Sequence, residues 1–323
     1  MKAIVVTEQG PELREVPVPI PGPSEVLVRV RAAGLNRADL SVAAGHAHGK
    51  QGGMGTVLGL EWAGEVEAAG DDVTEVAPGD RVMCSGAGGY AEYAVADRGR
   101  VMKLPDSNMR FSQAASLPVA LQTMHDAVVT NGRLERGQTV LIQGASSGVG
   151  LMALQIAREM GARLVIGTST DPRRRARLTE FGAHLAVDAS DPGWPDVVLA
   201  ATGGDGVDLV VDQVSGSMMN ANLRAAAILG RIVNVGRLGG RMAPFDFDLH
   251  ALRRITYTGV TFRTRSTEEV REINRRMRAD LWGGLEAGRL SLPIAAEFPL
   301  DQAPEALAHM RANRHFGKIL LLP

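Results

Sequence analysis

The stretch QGASSGVG, residues 143–150, has the make-up of a phosphate cradle. Gly144, Gly148 and Gly150 form a relaxed dinucleotide fingerprint. Glycines let the chain turn tightly and let its backbone approach a pyrophosphate, while the N–H groups of a following helix face the anion. Ser146 and Ser147 add hydroxyl donors, with Gly148 and Val149 opening the helix. Where the nucleotide is NAD, the second strand of such a unit ends in Asp or Glu, whose carboxylate binds the ribose 2′-OH. Here that strand ends GTSTDPRRR: Thr168 is followed by the neutral Ser169 and Thr170, then by Arg173, Arg174 and Arg175. Hydroxyls beside cations suit a 2′-phosphate, so the expected cofactor is NADPH. Asp171 has two readings, a displaced ribose ligand or the N-cap of the helix it opens. At least one of the three arginines is expected to lie on a solvated helix face.

A glycine turn carries weight only in its context. The context here is strand TVLIQG (139–144), helix 149–161, strand RLVIGT (163–168) and helix 171–182. A short strand at 184–187, a helix around 193–202, strand VDLVVDQV (207–214), a helix around 218–228 and strand RIVNVG (231–236) follow. Strands alternating with helices at this spacing predict βαβ units and a parallel sheet covered on both faces. The first part of the chain reads differently. Lys2–Thr7 is a β-branched run, Arg14–Pro23 a proline-rich extended loop, and EVLVRVRA (25–32) alternates as a half-buried strand does. Residues 59–68, 81–85 and 88–97 continue the strand pattern, with a PGD turn at 78–80. Ser112–Val129 reads as a helix with a proline inside it. In the tail, Ser266 and Glu269 form a capping-box pattern ahead of a long helix. Strand 294–300, helix 301–313 and a last strand GKILLLP suggest a return to the first, β-rich unit.

The chain of 323 residues is long enough for two domains with their own cores. With 45% hydrophobic and 22% charged residues it has the composition of a soluble globular protein. The 35 basic and 36 acidic residues leave a net charge of -1, which argues against a general electrostatic grip on nucleic acid or anionic lipid. Cys84 is the single cysteine, so no internal disulfide and no multi-cysteine zinc site can form. It is expected to be a small core residue. The N-terminus reads as a strand rather than a signal peptide, and no apolar run reaches membrane-helix length. The expected location is the cytoplasm.

Taken in order, AGLNRADL (33–40), VLGLEWAGEV (57–66), PGDRV (78–82), QGASSGVG (143–150) and FGKILL (316–321) resemble the medium-chain dehydrogenase/reductase superfamily over essentially the whole chain. Within it the chain looks like the zinc-independent quinone oxidoreductases, the family of zeta-crystallin. The resemblance implies an α/β protein with two domains. One is a GroES-like β-rich catalytic domain, residues 1–118 together with 260–323. The other is a Rossmann domain, a doubly wound parallel sheet that binds NADPH, residues 119–259. The zinc branch has a cysteine ligand where this chain has Asn36 and a histidine ligand where it has Leu60. Its structural zinc lobe needs four cysteines. No metal is therefore implied, and His46 and His48 are read as loop or pocket-lining residues. Glu61 is expected to be structural, bonded to backbone or to a basic partner.

The resemblance also implies site residues. Asn36 would lie near the nicotinamide ribose and donate to a developing oxyanion. Asp39 would act directly or fix the loop, and both roles stay open. Thr123 would sit near the nicotinamide, and Arg263, in VTFRTRS, would belong to the substrate-side loop. On the cofactor, Val214, Gly236, Arg237, Leu238 and Phe262 would join the residues named above, with Asn313 and Lys318 where the C-terminal segment closes over it. Without a metal there is no strong Lewis acid, and substrates should already be electrophilic. Reduction of a quinone by NADPH is the leading reading, and reduction of an enone or alkenal the second. Enoyl-thioester reductases of the superfamily use a tyrosine a few residues after the asparagine. The tyrosines here are at 90, 93 and 257, outside that loop. A third reading, NADPH binding joined to an RNA- or partner-binding role, is disfavoured by the near-neutral charge. The β-branched segment RITYTGVTF (254–262) should form the last strand of the nucleotide domain and pair edge-to-edge in a homodimer.

Overall fold

The computed structural model describes residues 1–49, 52–105 and 108–323. The chain divides into two units, Met1–Val119 with Phe262–Pro323, and Ala120–Thr261. The boundaries expected from the sequence are 118/119 and 259/260. In the first unit, β1 (Lys2–Thr7) pairs antiparallel with β2 (Gly10–Glu15). The extended loop expected from Arg14 thus begins inside a strand. β3 (Glu25–Gly34) is followed by α1 (Asp39–Ala43), β4 (Glu61–Ala69), β5 (Arg81–Ser85), β6 (Tyr93–Asp97) and β7 (Val101–Lys103). The alternation read in EVLVRVRA is realised: Val26, Val28 and Val30 point into the core with Trp62, Val66, Val82 and Tyr90.

The segment read as one proline-containing helix is three pieces. α2 (Phe111–Ala114) stops early, α3 (Pro118–His125) starts at the proline, and a π-helical turn covers Asp126–Asn131. Proline is tolerated at the first position of a helix because its missing N–H would have no partner there, whereas inside a helix it breaks one.

The second unit carries β8 (Thr139–Gln143), α4 (Gly148–Glu159), β9 (Leu164–Thr168), α5 (Pro172–Ala176), β10 (Leu185–Val187), α6 (Trp194–Ala201), β11 (Val207–Asp212), α7 (Met219–Ala225), β12 (Ala226–Asn234), α8 (Phe247–Arg253) and β13 (Thr256–Gly259). Its six strands are all parallel, in the order β10-β9-β8-β11-β12-β13. The five residues of β8 are buried, as a central strand covered on both faces requires. Two expectations change here. β12 begins at Ala226, inside the expected helix, because an apolar run such as AAIL has no period that separates strand from helix. β13 is only four residues long, far shorter than RITYTGVTF, though it does lie at the sheet edge.

The chain then returns to the first unit with α9 (Thr267–Glu286), β14 (Ile294–Pro299), α10 (Ala303–Arg311) and β15 (Lys318–Leu322). The Ser266–Glu269 capping box is present at the start of α9. β14 and β15 complete a seven-stranded sheet, β14-β15-β3-β4-β5-β7 with β6 on β3. The fold is therefore α/β, a GroES-like β-rich unit and a parallel Rossmann sheet. No helix among the described residues is long and apolar enough to cross a membrane.

Candidate functional site

In the second unit the site is built at the carboxyl ends of the parallel strands. β8 ends at Gln143, and Gly144 turns the chain with φ +68°. At Gly150 a side chain would lie 2.6 Å from the Gly144 carbonyl and 2.7 Å from Ala145 Cα, so only glycine lets α4 pack this close to the strand. The Ser147 hydroxyl accepts the Gly150 N–H at 3.1 Å and donates towards Gly144 O and Gln213 Oε1, both at 3.0 Å. Ser147 is thus the N-cap of α4 rather than an extra phosphate donor, a correction to its expected role. Gly148 and Val149 form the first turn of that helix, whose amide end favours anions.

At the end of β9, the Ser169 hydroxyl donates to Ser146 Oγ at 3.1 Å, joining the two loops. Thr168 is a second correction. It is buried, its hydroxyl donates to Gln143 Oε1 at 2.7 Å and accepts from the Gly144 N–H at 3.1 Å, so it braces the turn from below. Asp171 caps α5 by accepting the Arg174 N–H at 2.9 Å, the helix-cap role of its two readings. That hydrogen bond, ahead of the charges of Arg174 and Arg173, holds its carboxyl below the usual range. The arginines separate. Arg175 binds the Ser169 carbonyl at 3.0 Å and Asp188 at 2.9 Å, Arg174 lies 3.8 Å from Asp171, and Arg173 is exposed.

Further round the rim, the Val214 and Ser215 N–H groups bind Asp212, and Ser215 has φ 58° and ψ −152°. That region costs a non-glycine residue about 1–3 kcal/mol. Gly236 packs on the Gln213 carbonyl, where any side chain would collide. Arg237 is exposed and donates to the Val235 carbonyl at 3.2 Å, and Leu238 is exposed beside it. Thr123 lies half-buried on α3.

In the first unit a buried polar cluster gathers Asn36, Asp39, Glu61, Tyr90 and Lys318. Asn36 follows β3. Its backbone N–H donates to Asp39 Oδ2 at 2.7 Å, and the Tyr90 hydroxyl donates to the same oxygen at 2.7 Å. Its side-chain nitrogen donates to Glu61 Oε1 at 2.9 Å and to Gly34 O at 3.4 Å. The Lys318 ammonium donates to Asn36 Oδ1 at 3.0 Å and to Glu61 Oε1. Glu61 Oε2 accepts the Val119 N–H at 2.8 Å, so one carboxylate holds the Asn36 loop, the last strand and the start of α3. Gly34 leaves room for it, since a side chain there would lie 2.7 Å from Glu61 Oε1.

Three expectations change accordingly. The Asn36 amide is engaged by Glu61 and Gly34 rather than held out as an oxyanion donor. Lys318 is buried in an ion pair rather than presented to a cofactor. Asp39 fixes the loop, and burial pushes its carboxyl up from 3.8 to about 7, against the hydrogen bonds from Tyr90 and Asn36 and the charge of Lys318. Burial likewise raises the Tyr90 hydroxyl, with the Asp39 charge next. Glu61 has the structural role read for it. Tyr90, Gln143, Asp212 and Asn222 were not singled out from the sequence. For Gln143 and Asp212 a signal was there, a polar residue at the end of a largely apolar strand.

The remaining candidates lie outside this cluster. Arg263 is exposed, and its backbone packs against Gly49. Burial, and then the Arg263 charge, lowers the nearby His48. Phe262 is half-buried. Asn313, just past α10, accepts from Arg37 at 2.7 Å, a helix-end position. Cys84 is buried in β5 as expected, its thiol pushed up by desolvation.

The sequence matches the alcohol dehydrogenase GroES-like domain over residues 22–106 and the zinc-binding dehydrogenase family over residues 148–278. It is 30% identical to human quinone oxidoreductase, over 100% of this chain and 98% of that one. The chain belongs to the medium-chain dehydrogenase/reductase superfamily. It is an oxidoreductase of that superfamily. A solved alcohol dehydrogenase superfamily protein from Novosphingobium aromaticivorans superposes with a TM-score of 0.90 at 30% identity, covering 100% of this chain and 99% of that one. A mycobacterial protein solved in complex with NADPH superposes with a TM-score of 0.88 at 28% identity, with both chains covered in full. Zinc, which names one of the matched families, does not fit the residues here. Asn36 offers its oxygen to Lys318, Glu61 is paired with the same ammonium, and Leu60 has no donor. Among the described residues no group of three or more His, Cys, Asp or Glu is placed to hold a metal ion.

Proposed function

We propose that this oxidoreductase uses NADPH to reduce a quinone, without a metal. The observation that carries the reading is the Ser146–Ser169 hydroxyl pair, which stands at the rim of the parallel sheet where an NAD site has a carboxylate. Arg173 and Arg174 follow on α5, and the 2′-phosphate of NADPH would be held there by hydroxyls and guanidinium groups. The pyrophosphate would lie on the Gly144–Gly150 turn and the first turn of α4. Full-length similarity to quinone oxidoreductases, and to a mycobacterial structure containing NADPH, supports both halves of the reading.

NADPH, when bound, supplies a hydride. A quinone is electrophilic enough to take it without Lewis-acid help, and its reduced oxygen collects a proton from water. The side chains of the Asn36 cluster hold the loop rather than move protons, because each donor in it already has a partner. Tyr90, with its hydroxyl committed to Asp39, supplies no proton to a double bond, which favours quinones over enones. Two chains would pair through the β13 edge to form a homodimer.

The test is NADPH consumption, with NADH alongside, against benzoquinone, phenanthrenequinone, an alkenal and a cyclic enone, before and after chelator treatment. Quinone turnover with NADPH preference and no chelator effect is expected. Turnover of the alkenal or enone alone would replace the quinone reading with double-bond reduction. NADH preference would overturn the cofactor reading. The double substitution Arg173→Ala/Arg174→Ala should raise KM for NADPH about tenfold, the worth of a lost charge-assisted hydrogen bond, and leave KM for NADH unchanged.

A further inference from the structure

Below the glycine turn runs a line of polar side chains withdrawn from water. Gln143 Nε2 donates to Asn222 Oδ1 at 2.8 Å, and Asn222 Nδ2 donates to Asp212 Oδ2 at 3.0 Å. All three residues are 0% exposed. At one end, Gln143 Oε1 accepts the Thr168 hydroxyl, which in turn accepts the Gly144 N–H. At the other, Asp212 Oδ1 accepts the N–H groups of Val214 at 2.8 Å and Ser215 at 2.9 Å. A side branch runs from the Gln143 carbonyl through Gln213 to the Ser147 hydroxyl. The Ser215 hydroxyl continues to the Gly236 carbonyl at 2.7 Å and accepts from Asn234.

Such a line is an expensive way to fill a core. Buried polar groups lose their water, and a carboxylate held by neutral donors loses most. Burial duly pushes the Asp212 carboxyl up, against its bonds from Ser215, Val214 and Asn222. Apolar side chains of the same size would fill the space at less cost. What the line reaches is specific: the loops after β8, β9, β11 and β12. In an open parallel sheet those loops form the rim where a ligand sits. The line also holds Ser215 in a conformation that suits glycine, so the loop would not keep this shape unaided.

We infer that Gln143, Asn222 and Asp212 are positioning residues for the dinucleotide, locking loops 144–147, 168–169 and 214–216 into one arrangement before the cofactor arrives. Being fully buried, they would act through these loops rather than by touching the cofactor. The affinity gained is the ordering cost that the loops no longer meet on binding. The inference rests on the reading of this rim as the NADPH site.

The experiment is an NADPH titration, followed by its own fluorescence, of the wild-type protein, Asn222→Leu and Asp212→Asn, with steady-state kinetics and thermal melting of each. Asn222→Leu cuts the line at its centre. It should raise the Kd and KM for NADPH about tenfold, the effect of stranding buried hydrogen-bonding groups, while kcat at saturating NADPH and KM for the quinone stay within about twofold. Asp212→Asn keeps the shape and should give a smaller rise of the same kind. It decides the matter if Asn222→Leu fails to fold by circular dichroism. Lower melting temperatures with wild-type Kd for NADPH would mean a purely structural role and overturn the inference. A wild-type protein that binds NADH and not NADPH would remove the cofactor reading alone, and the variants would then be judged on NADH. Binding of neither nucleotide would remove both.

Discussion

Lys318 and Glu61 are both withdrawn from water and paired with one another. Lys318→Met leaves the Glu61 carboxylate with only the Asn36 amide and the Val119 N–H. The expected loss is about 3–5 kcal/mol in urea unfolding, the usual cost of stranding one buried charge. The double variant Glu61→Gln/Lys318→Met should regain most of that loss. Recovery by the double variant is the informative result, because it separates the stranded charge from mere loss of packing. Asp39 gives a pH signature. Its folded carboxyl is raised from 3.8 to about 7, so between those values the native state binds more protons than the unfolded one. Stability should therefore fall as pH rises from about 4 to 7. Asp39→Asn should flatten this slope in melting temperatures measured across that range, and an unchanged slope would assign it to another group.

At the scale of elements, the turn and the two helices after it make separate predictions. Gly150→Ala places a methyl against Gly144 O and Ala145, forcing α4 away from the strand. NADPH affinity should fall, since the helix end proposed to hold the pyrophosphate moves with it, and a titration checks this. Asp171→Ala should lower the melting temperature through loss of the α5 cap and leave the NADPH-to-NADH preference unchanged. A changed preference would restore Asp171 as a ribose ligand. The strands and helices around these sites were readable where period and punctuation agreed, as in EVLVRVRA and the α9 capping box. They were misread where an apolar run had no period, as at Ala226–Leu229, or where a proline marked a beginning rather than an interruption, as at Pro118.

At the scale of the whole molecule, the proposal concerns the edge of the six-stranded sheet. Among the described residues β13 has a neighbour on one side only, and an edge strand is a template for another chain. Light scattering should give twice the 34.2 kDa chain mass. Lysines at Thr256 and Thr258, the device by which natural edge strands avoid pairing, should shift the protein to monomer without loss of its circular dichroism. A monomeric wild-type protein would remove the edge-pairing proposal and leave the fold and the cofactor reading as they stand.

By itself the sequence determined the two-unit α/β plan, the glycine turn, the hydroxyls in place of a ribose-binding carboxylate, and the want of zinc donors. All of these are local, set by residue type over a few positions. Tertiary structure decided what the polar residues bond to. Asn36, Glu61 and Lys318 come from widely separated parts of the chain, and only the sheet pairing of β3, β4 and β15 puts one carboxylate among an amide, an ammonium and a helix start. In the same way Thr168 and Ser147, read as cofactor donors, are claimed by Gln143, Gly144 and Gln213. A hydroxyl at the end of a strand can face a ligand or brace the turn beneath it. Which it does depends on the neighbour that the fold brings within hydrogen-bond distance, and residue spacing carries no record of that neighbour.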